Sequence, residues 1–327
     1  MFEKSTVVIV GAGASAEFGL PTSQKIFSDL LSERASFSAN TKMNGSDLFS
    51  QRFINYLVYS TGKSSQSEIV DFIEKARGSF ENSIDMFTYQ NESLERLAKI
   101  YCAWKIYSGL MVIHTENDSF RGQHFSPRYT YKWRLPVVGG SPNWIASLTK
   151  KYVEKARDCQ EVKQNLKIIT FNYDTIIEDA MYNFLSKSER FFDGCVDIMP
   201  TIDHVYGSFV KISNEFESHT ILKDSDSIEF VRGNNEYSPE VRSAVLDAED
   251  IILIGFSLDP LNVEKIGLNQ AGGKIYGLNY DGNLDVSARM RQLGVSSDCL
   301  IEGSLTTPMT VGQAAGHGLF SMPEYSR

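Results

Sequence analysis

Gly11-Ala12-Gly13-Ala14-Ser15 follows directly on the run Thr6-Val7-Val8-Ile9-Val10. Glycines let a backbone come close to a pyrophosphate, and amides at the start of a helix stabilise its charge. A tight glycine turn with no ligand fits the same residues. Asn172 and Asp174 stand just past a second apolar run, Leu166–Phe171. The two polar residues at that strand end are candidates for a site. Another reading is open for both residues, because an Asn or Asp ahead of Ile176 can cap the helix that follows. His204 and Tyr206 flank Val205, ahead of Gly207-Ser208. Histidine is the side chain suited to proton transfer near neutral pH, whereas tyrosine, with a pKa of about 10, is a poor base unless shifted.

Several other chemistries are excluded by pattern. A hydride-transfer dinucleotide fold needs a second strand roughly 20 residues after the glycines, ending in an acid for the ribose. That region holds Ser32-Glu33-Arg34 within a helical pattern. Ser15 and Ser257 have no His/Asp companion in the sequence, and no G-x-S-x-G elbow occurs. Cys102, Cys159, Cys195 and Cys299 form no close pairs, so neither a zinc ribbon nor a disulfide framework is expected. The remaining histidines, at 114, 124, 219 and 317, have no metal-ligand spacing, and no metal is expected. The net charge of -9 disfavours binding to nucleic-acid phosphates. No apolar run approaches the ~20 residues that cross a bilayer. These features together predict a cytoplasmic protein without a membrane anchor.

The elements that must position the candidate residues alternate between strand and helix. Strands are predicted at 6–10, 166–171, 203–209, 251–255 and 274–278. Helices are predicted from Thr22 through Leu31 and from Pro142 to Arg157, then from Ile176, and over 239–248, 261–268 and 284–293. Between residues 36 and 160 strand signals are scarce. Apolar residues there recur at helical spacing, as in Phe49–Val58 and Leu94–Ala103, and 121–142 reads as a long loop. The expected fold is α/β: a doubly wound, mostly parallel Rossmann-like sheet with a large helical insert. The sheet domain is assigned to residues 1–35 and 161–327, and the insert to 36–160.

Four segments, in order and each at a predicted strand end, resemble the motifs of the sirtuin (silent information regulator-like) superfamily. Gly11–Ser15 with Gly19-Leu20-Pro21 resembles the first. Thr170-Phe171-Asn172-Tyr173-Asp174 resembles the second, in the form found in bacterial sirtuin-like NAD hydrolases. Ile254-Gly255-Phe256-Ser257-Leu258 resembles the third, and Leu278-Asn279 the strand-end Asn that holds the adenosine ribose. The resemblance implies that Gly11, Ala12, Gly13 and Ser15 hold the diphosphate. It implies that Asn172 contacts the nicotinamide ribose or the attacking water, with Asp174 near the carboxamide. Gly255 and Ser257 would line the ribose-phosphate channel, and Asn279 would meet the adenosine ribose. Tyr206 stands where the family carries its general-base His. His204, two residues earlier, would share a strand face with Tyr206 and take over the role or relay to it.

The resemblance implies NAD as a substrate, with no separate cofactor. The activity implied is cleavage of the nicotinamide–ribose bond, controlled by an activator and serving bacterial antiphage defence. Partners implied are a homo-oligomer or a regulatory protein of the same defence system. The insert and Val311–Phe320 are the candidate contact surfaces. Tyr206 supports an alternative, a nucleotide sensor or assembly subunit without turnover. A protein deacylase fits less well, because the zinc cysteines are missing and Thr22-Ser23 replaces the family's Phe-Arg after Pro21.

Overall fold

The apolar run Thr6–Val10 needs cover on both faces and a partner on both edges, and it has both. The computed structural model describes residues 2–32, 66–115, 143–209, 218–230, 238–280, 284–303, 308–316 and 319–321. Along the chain come β1 (Thr6–Val10), α1 (Ala12–Ser15), α2 (Ser23–Ser32), α3 (Gln66–Arg77), α4 (Ile84–Gln90), α5 (Glu95–Thr115) and α6 (Trp144–Val153). Then come β2 (Leu166–Thr170), α7 (Ile176–Ser186), β3 (Thr201–His204), α8 (Ser218–Asp226), α9 (Pro239–Asp247) and β4 (Asp250–Ile254). The chain continues with α10 (Pro260–Lys265), β5 (Lys274–Asn279), α11 (Leu284–Gln292), β6 (Leu300–Glu302) and α12 (Val311–Gly316).

The six strands form one sheet in the order β3-β2-β1-β4-β5-β6. Every pairing is parallel, the doubly wound Rossmann-like arrangement. β1 and β4 are buried at every residue, as strands covered on both faces must be. In register, Val10 faces Thr170 on one side and Ile254 on the other, and Thr170 faces His204. The carboxyl ends of four strands therefore lie in one row. Strand order reverses between β1 and β4, where ligands of such sheets gather.

The chain divides into two compact units. One comprises Met1–Phe18, Leu135–Tyr206 and Gly233–Arg327 and contains the sheet. In it α6 packs on α7 and on α12. Trp144 of α6 is fully buried and donates its indole N–H to the Ala14 carbonyl at 3.1 Å. The other unit comprises Gly19–Arg134 and Gly207–Arg232. Its described elements are helical. Phe27, Phe72, Phe87 and Tyr101 form a chain of ring contacts there, with centroids 5.6–6.3 Å apart, and Asp29 pairs with both Lys25 and Lys105. The sequence reading puts α2 with the sheet and α6 in the insert; contacts group α2 with the helical unit and α6 with the sheet unit.

Two expectations are corrected. The third strand is not 203–209 but ends at His204, and Val205-Tyr206 form a turn ahead of Gly207, whose φ is +79°. His204 and Tyr206 therefore share no strand face, because the period-2 alternation stops between them. Nor do the described residues of Val311–Phe320 mainly face outward: Val311, Ala314, Leu319 and Phe320 are buried, and Gln313 is exposed. Thr310 caps α12 reciprocally with Gln313, each backbone N–H donating to the other's side-chain oxygen. The Glu17 carboxylate, just past the glycine turn, accepts from the Gly312 amide at 3.0 Å. Burial lifts the Glu17 carboxyl above the usual range, against the pull of the Gly312, Val311 and Thr310 hydrogen bonds. β6, only three residues long, had too little sequence to show a period. The expectations for Phe49–Val58 and 121–142 lie outside the described residues.

Candidate active site

The turn after β1 and the loop after β4 meet backbone to backbone. Gly11 donates to the Ile254 carbonyl and Gly13 to the Gly255 carbonyl, both at 3.0 Å. A Cβ on Gly11 would lie 2.3 Å from the Gly255 oxygen, and one on Gly255 would lie 2.0 Å from the Ala14 nitrogen. Gly255 also holds φ at +59°. These glycines are required first for loop-to-loop contact, and two of the turn's amides are committed to it.

Asn172 is held on almost every polar atom. Its amide N–H donates to Thr170 Oγ1 at 3.1 Å, and its carbonyl receives His204 Nδ1 at 2.7 Å. Its side-chain Nδ2 donates to Ser15 Oγ at 2.8 Å and to the Gly11 carbonyl at 3.3 Å. A carbonyl can only accept, so the Gly11 contact fixes which end of the amide is nitrogen. What is left is Oδ1, which is buried and has no hydrogen-bond partner among the described residues.

Ser15 passes the chain on, donating to Asp174 Oδ2 at 3.1 Å. Asp174 Oδ1 accepts from the Ile176 amide at 3.2 Å, so Asp174 caps α7 as well as joining the cluster. Burial pushes its carboxyl up to about 6, against the Ile176 and Ser15 hydrogen bonds, with Glu178 adding to the rise and His204 opposing it. The folded value lies above the unfolded one, so this group's contribution is fully present below about pH 4 and is lost as pH rises through about 6. Against Asp174→Asn, the wild type is expected to lose about 1–2 kcal/mol between pH 5 and 7.5 in urea unfolding. A difference that does not change with pH would show Asp174 to be unburdened.

Both ring nitrogens of His204 are engaged. Nδ1 faces a carbonyl and so carries a proton, and Nε2 lies 2.6 Å from Glu178 Oε1. Burial opposes the imidazolium, but the Glu178 hydrogen bond and charge, the Asn172 carbonyl and the Asp174 charge outweigh it and hold the pKa above the ordinary value. With a carbonyl at Nδ1 and a carboxylate at Nε2, each ring nitrogen already faces a protein partner. The Tyr206 hydroxyl is directed to Asn262 Oδ1 in α10. Its ring meets Phe171 edge-on at 5.6 Å, and Phe171 packs on Phe256 at 4.7 Å.

The site residues expected from sequence fall into two sets. Gly11, Ser15, Asn172, Asp174 and His204 form one hydrogen-bonded cluster, joined by backbone contact to Gly13 and Gly255. Ala12 lies half-buried in the same turn, and Ser257 is exposed on the loop after β4. Asn279, at the end of β5 and only 1% exposed, donates to Ser287 Oγ at 2.8 Å. Sequence reasoning missed Glu178, Trp144, Glu17 and Asn262. Glu178 had a detectable signal, since it lies in the first turn of the helix after Asp174; the other three had none. Among the described residues, no group of His, Cys, Asp or Glu is arranged to hold a metal ion, and no helix is long and apolar enough to cross a membrane.

No family model matches the sequence, and no curated protein matches it. Solved structures give a fold-level likeness. A mutant Sir2 homologue in complex with 2′-O-acetyl ADP-ribose aligns over 99% of this chain and 94% of its own, with 12% identity and a TM-score of 0.41. A structure addressing the mechanism and regulation of Sir2 enzymes aligns over 99% and 94%, with 13% identity and a TM-score of 0.39. A Sir2 protein bound to a propionylated peptide aligns over 98% and 93%, with 13% identity and a TM-score of 0.37. A likeness this shallow assigns no residue and no activity.

Proposed function

We propose that this chain is an NAD glycohydrolase. The observation that carries the reading is the state of Asn172, clamped against the glycine turn with Oδ1 as its one unpartnered acceptor. Nicotinamide leaves as a neutral base, taking the electrons of the C1′–N bond. The ribose becomes oxocarbenium-like, water adds at C1′, and a proton is lost to give ADP-ribose. Such a step depends more on orientation than on a strong base. Asn172 Oδ1 would accept from the ribose hydroxyl or the water, and the Gly11–Ser15 turn would support the diphosphate. The four motif-like segments add to this reading. The bacterial branch they resemble suggests an activator-controlled, NAD-depleting effector of antiphage defence, acting as a homo-oligomer or with a partner protein in the cytoplasm.

A second reading, a nucleotide sensor or assembly subunit, is favoured by a specific observation: His204 and Tyr206, the two candidate bases, are both spent on hydrogen bonds. One assay separates the two. Purified protein is incubated with NAD, with and without candidate activators, while nicotinamide and ADP-ribose are followed. Release of both in equal amounts is expected. Binding of NAD without turnover under every activating condition would leave the sensor.

A further inference from the structure

The sequence points to His204 as a general base, but its surroundings suit a different task. Its Nδ1 side faces the peptide carbonyl of Asn172 at 2.7 Å. Its Nε2 side is backed by Glu178 from the first turn of α7. Its backbone is fixed too: His204 is the register partner of Thr170, and Val205 N–H donates to the Thr170 carbonyl at 2.9 Å. Thr170 in turn holds the Asn172 amide through Oγ1. The Asn172 peptide is therefore gripped on its amide side by β2 and on its carbonyl side by a side chain from β3. Ser15 and Gly11 fix the side-chain nitrogen, so the direction of Oδ1 follows from these four anchors. Only the His204 anchor reaches beyond the β1 and β2 loops, and it is braced by a carboxylate.

We propose that Glu178 and His204 are positioning residues, which aim Asn172 Oδ1 by holding its peptide carbonyl, and that His204 takes no proton from the attacking water. The inference rests on the NAD-hydrolase reading and deepens it. Glu178 orients the ring through Nε2, and the ring then presents Nδ1–H to the carbonyl. Misplacing a reacting or orienting group by about 1 Å costs on the order of 10²-fold in rate, so a single lost hydrogen bond here is felt in turnover while the nucleotide still binds.

The discriminating variant is His204→Asn. An asparagine amide nitrogen can occupy nearly the place of imidazole Nδ1 and donate to the Asn172 carbonyl, but it cannot act as a base. NAD affinity by calorimetry, kcat, KM and thermal melting are measured for the wild type, His204→Asn, His204→Ala, Glu178→Gln and Glu178→Leu. Positioning predicts that His204→Ala and Glu178→Leu lose about 10- to 100-fold in kcat with affinity within about threefold. It also predicts that His204→Asn and Glu178→Gln recover most of that loss. If His204→Ala fails to fold, the two Glu178 variants carry the comparison. A His204→Asn protein as inactive as His204→Ala, with both folded and binding NAD, would restore the base role and overturn the proposal. Kcat unchanged in Glu178→Leu would overturn it equally. Wild-type protein that never releases nicotinamide would instead overturn the hydrolase reading, and this inference with it.

Discussion

Asn172→Ala is expected to lower NAD turnover by about 10²-fold or more while leaving the fold intact. The substitution removes the unpartnered Oδ1 and both Nδ2 donations. The groups left behind keep other partners: the Gly11 carbonyl still accepts from Ala14, and Ser15 still donates to Asp174. The stability cost should thus be about 1 kcal/mol, the usual scale for a lost hydrogen bond. The measurement is nicotinamide release under saturating NAD, set beside a urea melt. Turnover within about threefold of wild type would remove Asn172 from the chemistry. Asn172→Asp serves as a contrast, since it keeps the volume and reverses the polarity. Its second carboxylate oxygen would face the Gly11 carbonyl, and its charge would lie in the cluster that already buries Asp174. It should lose stability where the alanine variant loses mainly rate.

The largest effect on stability is expected at Gly255. Three glycines separate its two burdens. Gly272 has no positive φ, and a Cβ added there would meet nothing within 4 Å, so Gly272→Ala should be neutral within about 0.5 kcal/mol. Gly294 has φ +83° and open space, so Gly294→Ala should cost about 1 kcal/mol, the backbone term alone. Gly255 has φ +59°, and a Cβ there would lie 2.0 Å from the Ala14 nitrogen and 2.6 Å from the Gly13 carbonyl carbon. Neither neighbour is a flexible side chain, so the loops must part. Gly255→Ala should cost about 4 kcal/mol or more and should abolish nucleotide binding along with it. Urea unfolding of the three variants tests the series. A Gly255→Ala protein as stable as Gly294→Ala would mean that the two loops are not locked together.

Much of the sheet was legible because β1 and β4 carry continuous β-branched and apolar runs, and β2 and β5 shorter ones, the pattern of strands buried on both faces. The cluster was legible for a related reason: Gly11, Asn172 and Gly255 each follow such a run, and parallel strands bring their carboxyl ends to one edge. Less visible was what a residue's partner would be. The sequence does not reveal that a carbonyl and a carboxylate from two other elements will lie against the two ring nitrogens of His204. Nothing at a strand end foretells that Asn279 will donate to Ser287. The third strand was read too long because Val205, Tyr206 and Phe209 continue an apolar pattern through a turn set by Gly207. Trp144 gave no local sign that it would support the glycine turn, since its partner Ala14 is 130 residues away.

The strand order bears on how the protein is made. β1 is the third strand from one edge of the sheet, yet it is synthesised first, and its neighbours are β2 and β4. At a ribosomal rate of roughly 5–20 residues per second, Val10 precedes its partner Ile254 by roughly 12–50 seconds. Until β2 is made both edges of Val7-Val8-Ile9-Val10 lack their partners in the nascent chain, and until β4 is made one still does. The glycine turn cannot meet Gly255 before then, and the Glu17 carboxylate must wait longer still for Gly312. The contact between the glycine turn and the loop after β4 is thus begun by the first strand of the sheet and closed only once the fourth has been made.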